Sequence, residues 1–418
     1  MKNKWILLAF LCATFVLYTV DRALLGLLAI SIQRDTGITD VQFGVLNAAV
    51  FWTYAALVPF AGYIGDCFNR VRLIGFASLV WSVMTVLAGF ADGFWSLLLV
   101  VSVAVTAPQT LYSPAASALI ASRHRETRTV ALSLHQTAFY GGWFLSGAVV
   151  AAVLAAFGSW RAAYWCVGGV GIALAAVFIA ASFRADAPAA AAAVSHSPVT
   201  GKPSFAEAFR AVFACPTAVI AAAGHATFTF VVFGYTAWAP KYVALKFGIS
   251  PGSAAFGAMF WHFSAACAAV LAAGFVTDRF VGRFPRFRLA LQTCSLLAAV
   301  PPMFAFASGG SLCSVWTAAA LLGVMKGAFE ANSVNSMFDV VPRRCHSSAV
   351  GYMNVMSGVF GAFAPMTLGW LSQRSGVRGL ELGFSSFGFV LLAAGILMGI
   401  AALRTFGRDR LAVLNKDK

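Results

Sequence analysis

Four ionisable residues stand inside long apolar stretches of the chain: Asp21 and Arg22, adjacent to one another, and Lys326 and Glu330, four residues apart. A charge at the centre of a bilayer costs at least about 2.5–3.5 kcal/mol on insertion scales, and such residues mark substrate paths, ion paths and proton relays. Lys326 and Glu330 share one helical face and could instead neutralise each other as a packing pair. Against that alternative, a buried ion pair seldom adds net stability over an apolar replacement. The same segment also continues with Asn332, Ser333, Asn335 and Ser336, a polar face that a water-filled cavity would explain. Successive residues of a helix point about 100° apart. One of Asp21 and Arg22 is therefore expected to meet a cavity, and the other a neighbouring helix or water.

A second set is polar but neutral. Imidazole titrates near physiological pH, and three histidines, His135, His225 and His262, lie in apolar segments. Each could relay protons or simply pack through hydrogen bonds. His135 stands out because it begins the cluster His135-Gln136-Thr137-Ala-Phe-Tyr140, in which Gln136 and Tyr140 share a face and could bind a hydroxyl or carboxylate. Tyr112, Trp238, Asn47, Trp52, Tyr54 and Tyr235 are further candidate wall residues. One catalytic pattern occurs, Gly248-Ile-Ser250-Pro-Gly252. A nucleophile elbow needs a preceding strand, a following helix and a nearby His. Here the pattern joins two apolar helices, and Ser250-Pro251 suits a helix start. No catalytic residue is assigned, and no metal or cofactor motif occurs.

The elements that hold these residues follow from composition. The chain has 418 residues, 60% of them hydrophobic and 10% charged, against about 25% charged in a soluble domain. Apolar stretches of bilayer-crossing length recur throughout. Twelve spans are expected, at 5–33, 40–65, 71–91, 95–122, 129–157, 162–183, 216–245, 252–277, 287–308, 312–341, 347–373 and 381–404. Of the 29 Lys and Arg, 21 fall at the termini and in the loops that an even span count puts on one side. Six (Arg34, Arg161, Lys241, Lys246, Arg374 and Arg378) fall on the other side, and Arg22 and Lys326 lie within spans. The positive-inside rule then puts both termini in the cytoplasm. The net charge of +15 is topological, with no nucleic-acid partner implied. Eight cysteines are scattered singly and act as small apolar side chains.

The one long stretch without an apolar run, 184–215, has linker composition and divides the chain six plus six. The expected domains are an N-terminal bundle (1–183), a cytoplasmic central loop (184–215) and a C-terminal bundle with a short tail (216–418). Within the loop, 204–213 reads as a short amphipathic surface helix. The halves share a pattern. Span 2 ends in Gly62-Tyr-Ile-Gly-Asp66-Cys-Phe-Asn-Arg70, and span 8 ends in Gly274-Phe-Val-Thr-Asp278-Arg279-Phe-Val-Gly-Arg283. Two copies at equivalent places indicate an internal repeat.

This Gly-x-x-x-Asp-x-x-x-Arg signature, repeated after span 8, resembles the cytoplasmic gate motif of the major facilitator superfamily. The resemblance covers the whole chain. It implies an all-α polytopic membrane protein, twelve transmembrane helices in two six-helix bundles, working by alternating access with spans 1, 4, 7 and 10 around a central cavity. Tyr18-Thr-Val-Asp21-Arg22 resembles the first-helix Tyr-x-x-Asp-Arg of the anion:cation symporter and spinster-like branches. Carried over from them, Asp21 is the proton-site candidate and Arg22 the anion-recognition candidate. Those branches often carry Arg, and seven residues later Glu, on span 4. Aligned on Ala118-Leu-Ile-Ala121, this chain has Ser102 and Gln109 there. Coupling is then left to Asp21, Glu330 or a histidine such as His135, or is absent.

The expected function is secondary transport of a small organic solute across the bacterial inner membrane by a chain sufficient as a monomer. Arg22 and Lys326 favour an organic anion such as a sugar acid, with Gln136, Asn332 and Asn335 to meet its hydroxyls. The alternatives are a spinster-like carrier of lysolipids or other amphiphiles, and an exporter of hydrophobic compounds.

Overall fold

The computed structural model describes residues 4–124, 126–183, 205–342 and 345–416, and their regular structure is helical throughout. Span 1 is Lys4–Leu27, extended beyond Leu28 by a short helix Ala29–Thr36. Spans 2 and 3 are Asp40–Cys67 and Arg70–Ala88, span 4 covers Phe94–Arg123, and spans 5 and 6 are Arg128–Phe157 and Trp160–Phe183. Spans 7 and 8 are Pro216–Phe247 and Pro251–Phe280, span 9 covers Phe287–Ser308, and span 10 is Leu312–Phe338. The fold class is that of a twelve-span membrane protein. Of the expected central loop, 184–204 lies outside the described residues, and the remainder carries the expected surface helix, Phe205–Phe213.

Local chemistry sets the ends. Thr39 starts span 2 with a capping box: its hydroxyl accepts from the Gln42 amide (3.2 Å) while the Gln42 side chain accepts from the Thr39 amide (2.9 Å). Asn69 starts span 3 by accepting from the amides of Val71 and Arg72 at 3.0 and 3.3 Å. Ser250 accepts from the Ser253 amide at 3.1 Å at the start of span 8, which is the helix-start role expected of it. Such caps satisfy amides that lack an intrahelical partner.

Spans 11 and 12 are less obvious. His346–Gly361 and the helix Phe363–Ile400 follow each other closely, and the second is interrupted only at Ser375 (φ −137°) and Gly376 (φ +56°). Gly376 takes the left-handed conformation that side chains disfavour, so the chain reverses there without a loop.

Span 4 contains a π-helical stretch, Leu98–Val105, before Pro108. A proline lacks the N–H that would bond four residues back, and the widened turn, with the Thr106 hydroxyl donating to Val101 O at 3.2 Å, absorbs that loss. Pro240 stands inside span 7 without ending it, and the helix runs through it to Phe247. The Thr236 carbonyl that Pro240 cannot serve lies 2.4 Å from where a Cβ on Gly26 would sit, so only glycine lets span 1 approach it.

By contact density the chain forms two compact units, Met1–Ser197 with Thr236–Phe260, and Pro198–Tyr235 with Trp261–Lys418. The end of span 7, from Thr236 on, and the first part of span 8 therefore belong to the first unit. Its core includes Leu11, Phe15, Tyr18, Trp81 and Tyr112, packed between spans 1, 3 and 4. Lys241 is ion-paired with Asp40 and donates to Gln33 Oε1 at 2.6 Å, both within this unit.

Candidate functional site

Asp21 and Arg22 divide their surroundings as their helical spacing requires. Asp21 is buried, with Oδ1 accepting from the Thr85 hydroxyl on span 3 (3.0 Å) and Oδ2 from Gln109 Nε2 on span 4 (2.7 Å). Both donors are neutral, and Asp21 has no ion-pair partner among the described residues. Gln109 reaches it from the turn that follows the π-helical stretch.

Arg22 turns the other way, into aromatic rings. Its guanidinium lies 4.8 Å from the Tyr54 ring centroid, 5.2 Å from that of Phe51 and 6.0 Å from that of Tyr18. Its Nη1 donates to Tyr18 Oη at 3.3 Å. Among the described residues no carboxylate pairs with it. Ring faces attract a cation by about 0.5–1 kcal/mol each when exposed and by ~2 or more when desolvated. They hold the guanidinium in place without neutralising it.

Both residues line one cavity in the first unit, with Asn47, Phe51, Gln109 and Tyr164 among its walls. It is narrow, ≈ 30 Å³, room for about two water molecules. The Tyr164 hydroxyl is buried with no hydrogen-bond partner among the described residues. Unpartnered buried polar atoms are rare, so water or a ligand in this cavity would satisfy it. The expected split therefore takes another form: both residues meet the same cavity, and Asp21 also binds neighbouring helices while Arg22 is framed by rings.

The second unit holds the other charged pair. Lys326 and Glu330 form an ion pair along span 10, the self-paired alternative raised above. Lys326 also lies 5.8 Å from the Phe263 ring centroid. Asn332 is buried with neither amide atom partnered among the described residues, whereas Asn335 is exposed. His262 stacks on Tyr235, centroids 4.6 Å apart, with its Nδ1 3.2 Å from Ala319 O.

The remaining candidates fall elsewhere. Tyr112 is fully enclosed, donating to Leu11 O at 2.5 Å, and its oxygen lies 2.9 Å from His135 Nε2. The single hydroxyl proton goes to the carbonyl, so His135 must supply the other from Nε2; its ring stacks on Phe15 at 4.3 Å. Tyr140 is buried, Gln136 is exposed, and neither lines the Asp21 cavity. Trp238 is fully buried against Phe43, with Lys241 5.3 Å from its ring centroid.

Of the gate residues, the side chain of Asp66 and the surroundings of Gly62 lie outside what is described. Arg70 begins span 3. Asp278, Arg279 and Arg283 are exposed at the end of span 8. Among the described residues, a Cβ on Gly274 would meet no atom within 4 Å. No group of three His, Cys, Asp or Glu able to hold a metal is present among the described residues.

Three residues of the Asp21 site were not singled out by sequence as binding groups: Thr85, Gln109 and Tyr164. Gln109 left a signal, a strongly polar side chain in an apolar span at the position where similar branches carry Glu. Thr85 and Tyr164 left none, because Thr and Tyr are ordinary in membrane helices.

Residues 10–365 match the family model described as Major Facilitator Superfamily. The chain is 25% identical to a probable sulfoacetate transporter of Cupriavidus necator, over 96% of this chain and 93% of that one. It is 26% identical to protein spinster homolog 1 of Xenopus laevis, over 58% of this chain and 46% of that protein. Its fold superposes with a TM-score of 0.86 on a bacterial homolog of the human lysosomal transporter Spinster in an inward-facing, unoccupied conformation, at 21% identity, covering 98% of this chain and 99% of that one.

Proposed function

We propose, for a chain that belongs to the major facilitator superfamily, that its cargo is a small organic anion bearing a carboxylate or sulfonate, moved by alternating access with a proton. One observation carries this reading: a guanidinium, Arg22, lines a cavity between aromatic rings with no carboxylate paired to it among the described residues. Arginine's planar fork suits a carboxylate or sulfonate, which can accept two parallel hydrogen bonds. Support also comes from the relative whose named substrate is sulfoacetate, a dianion with both groups.

In this reading Asp21 takes the coupling proton. Its two neutral donors, Thr85 and Gln109, serve the carboxylate. Protonation of Asp21 as the anion reaches Arg22 adds one positive charge against the cargo's negative charge, and the loaded carrier crosses with less charge to desolvate. Lys326, Glu330, Asn332 and Asn335 on span 10 are the matching candidates of the C-terminal half, and Gln136 and Tyr140 those of span 5, for cargo hydroxyls. His135 is a secondary proton candidate, and the two copies of the Gly-x-x-x-Asp-x-x-x-Arg motif are the gate. The bundles are taken as 1–183 and 216–418 joined by the loop 184–215. The protein sits in the bacterial inner membrane with both termini cytoplasmic and functions as a monomer.

A second reading, an amphiphile carrier or exporter, is favoured by the apolar share of the cavity wall, where Leu25, Val50, Phe51, Val101 and Val105 sit beside the polar groups.

The experiment is uptake of labelled sulfoacetate and of sugar acids into proteoliposomes under an imposed inward proton gradient. Accumulation that disappears in Arg22→Ala, with Asp21→Asn retaining exchange but losing accumulation, is the expected result. No anion uptake together with lysolipid movement would replace this reading with the second.

A further inference from the structure

We infer that the second unit carries a binding site for an anionic phospholipid, built between the loop after span 8 and the C-terminal helix Phe406–Lys416. A groove of ≈ 490 Å³ opens there, within the range of about 300–1,000 Å³ usual for small-molecule pockets. Three arginines line it, Arg283 and Arg286 from the loop and Arg410 from the helix. Arg286 is brought in closely, its Nη2 lying 3.1 Å from where a Cβ on Gly407 would stand.

Among the described residues none of the three is ion-paired. No acid among the described residues lines the groove. Asp409 accepts from the Thr217 amide and hydroxyl at 3.1 and 2.8 Å and pairs with Arg408. Asp278 makes no ion pair among the described residues. Three guanidinium groups lining one groove with no carboxylate paired to them among the described residues repel one another, and a phosphodiester offers them acceptor oxygens.

The rest of the wall is apolar. Phe284 and Leu411 line the groove and are 59% and 61% exposed, and Phe406 forms its buried floor. A soluble anion has no use for exposed phenyl and isobutyl groups beside its site, but a lipid does: its phosphate meets the arginines while its acyl chains cover Phe284 and Leu411. The position agrees with that division, because the groove lies where an apolar span ends and a basic loop begins. Basic pockets at this level of a membrane protein recognise anionic head groups.

Native mass spectrometry of the full chain in detergent, with equimolar phosphatidylglycerol and phosphatidylcholine, tests this. Phosphatidylglycerol adducts should exceed phosphatidylcholine adducts by roughly tenfold or more, and the Arg286→Gln/Arg410→Gln variant should bring the ratio close to one. Arg34→Gln, in the first unit, should leave it unchanged. Equal adducts on the wild type, or a preference that survives in the folded double variant, would overturn the inference. So would displacement of phosphatidylglycerol by millimolar glycerol phosphate, which would assign the groove to a soluble phosphate. If the double variant does not purify, Arg410→Gln alone is read by the same ratio.

Discussion

Gln109 Nε2 donates to Asp21 Oδ2 across 2.7 Å, tying span 4 to span 1 through residues 88 positions apart in the chain. The bond serves the carboxylate without supplying a charge. A lysine or arginine in place of this neutral donor would instead hold a carboxylate ionised.

Gln109→Leu removes that donor and leaves the carboxyl with Thr85 alone. A hydrogen bond to a charged group contributes about 1.5–3 kcal/mol, so the variant should unfold at lower temperature and lose roughly tenfold or more of gradient-driven uptake. Thermal unfolding and proteoliposome uptake, measured on the same preparation, check both. Unchanged uptake would remove Gln109 from the site.

Arg22→Lys keeps the charge but loses the planar group that lies against Tyr54 and Phe51 and could bind an anion by two bonds. Affinity for the transported anion should fall about tenfold, near 1.4 kcal/mol, with expression and thermal stability close to wild type. Ligand-induced thermal shifts with sulfoacetate and sugar acids measure it.

Lys241 serves two acceptors in the first unit, Asp40 and Gln33. The pair is mostly shielded, with side chains 11% and 18% exposed, so its loss should fall between the surface and buried limits. Lys241→Ala should cost about 1–3 kcal/mol. Asp40→Ala added to it should cost less than it does alone, and a double-mutant cycle reads the difference.

Cys215 precedes span 7, and burial, with Asp409 beside it, pushes its thiol up to about 11 from 9.0. The neutral thiol is therefore the form present at physiological pH, and maleimide labelling of Cys215 should stay slow between about pH 7 and 9. Because the folded value lies above the unfolded one, this group's contribution to stability is complete below about pH 9 and is lost as pH rises through about 11. Asp409→Asn should speed labelling at pH 9. Labelling in the native chain as fast as in unfolded protein would contradict the burial.

The sequence alone determined a large share of this protein. Spans follow from apolar length, because a bilayer admits few structures other than helices that satisfy their own backbone. The conspicuous charges, Asp21, Arg22, Lys326 and Glu330, were legible because a charge among twenty apolar residues needs a reason. The Lys326–Glu330 pairing was legible as an option from its four-residue spacing.

What the tertiary structure alone decided were relations between distant residues and the fate of ordinary ones. Hydropathy cannot distinguish a tyrosine that packs in the core, as Tyr112 does, from one that lines a cavity, as Tyr164 does. Nor can it show that Thr85 and Gln109 converge on Asp21, or that Tyr54 and Phe51 frame Arg22, since these meetings depend on how whole helices pack. The grouping of the end of span 7, from Thr236 on, with the first unit is of the same kind. Span 1 meets that end at Gly26, where a Cβ would stand 2.4 Å from the Thr236 carbonyl, a fit between two backbones more than two hundred residues apart that no local pattern records.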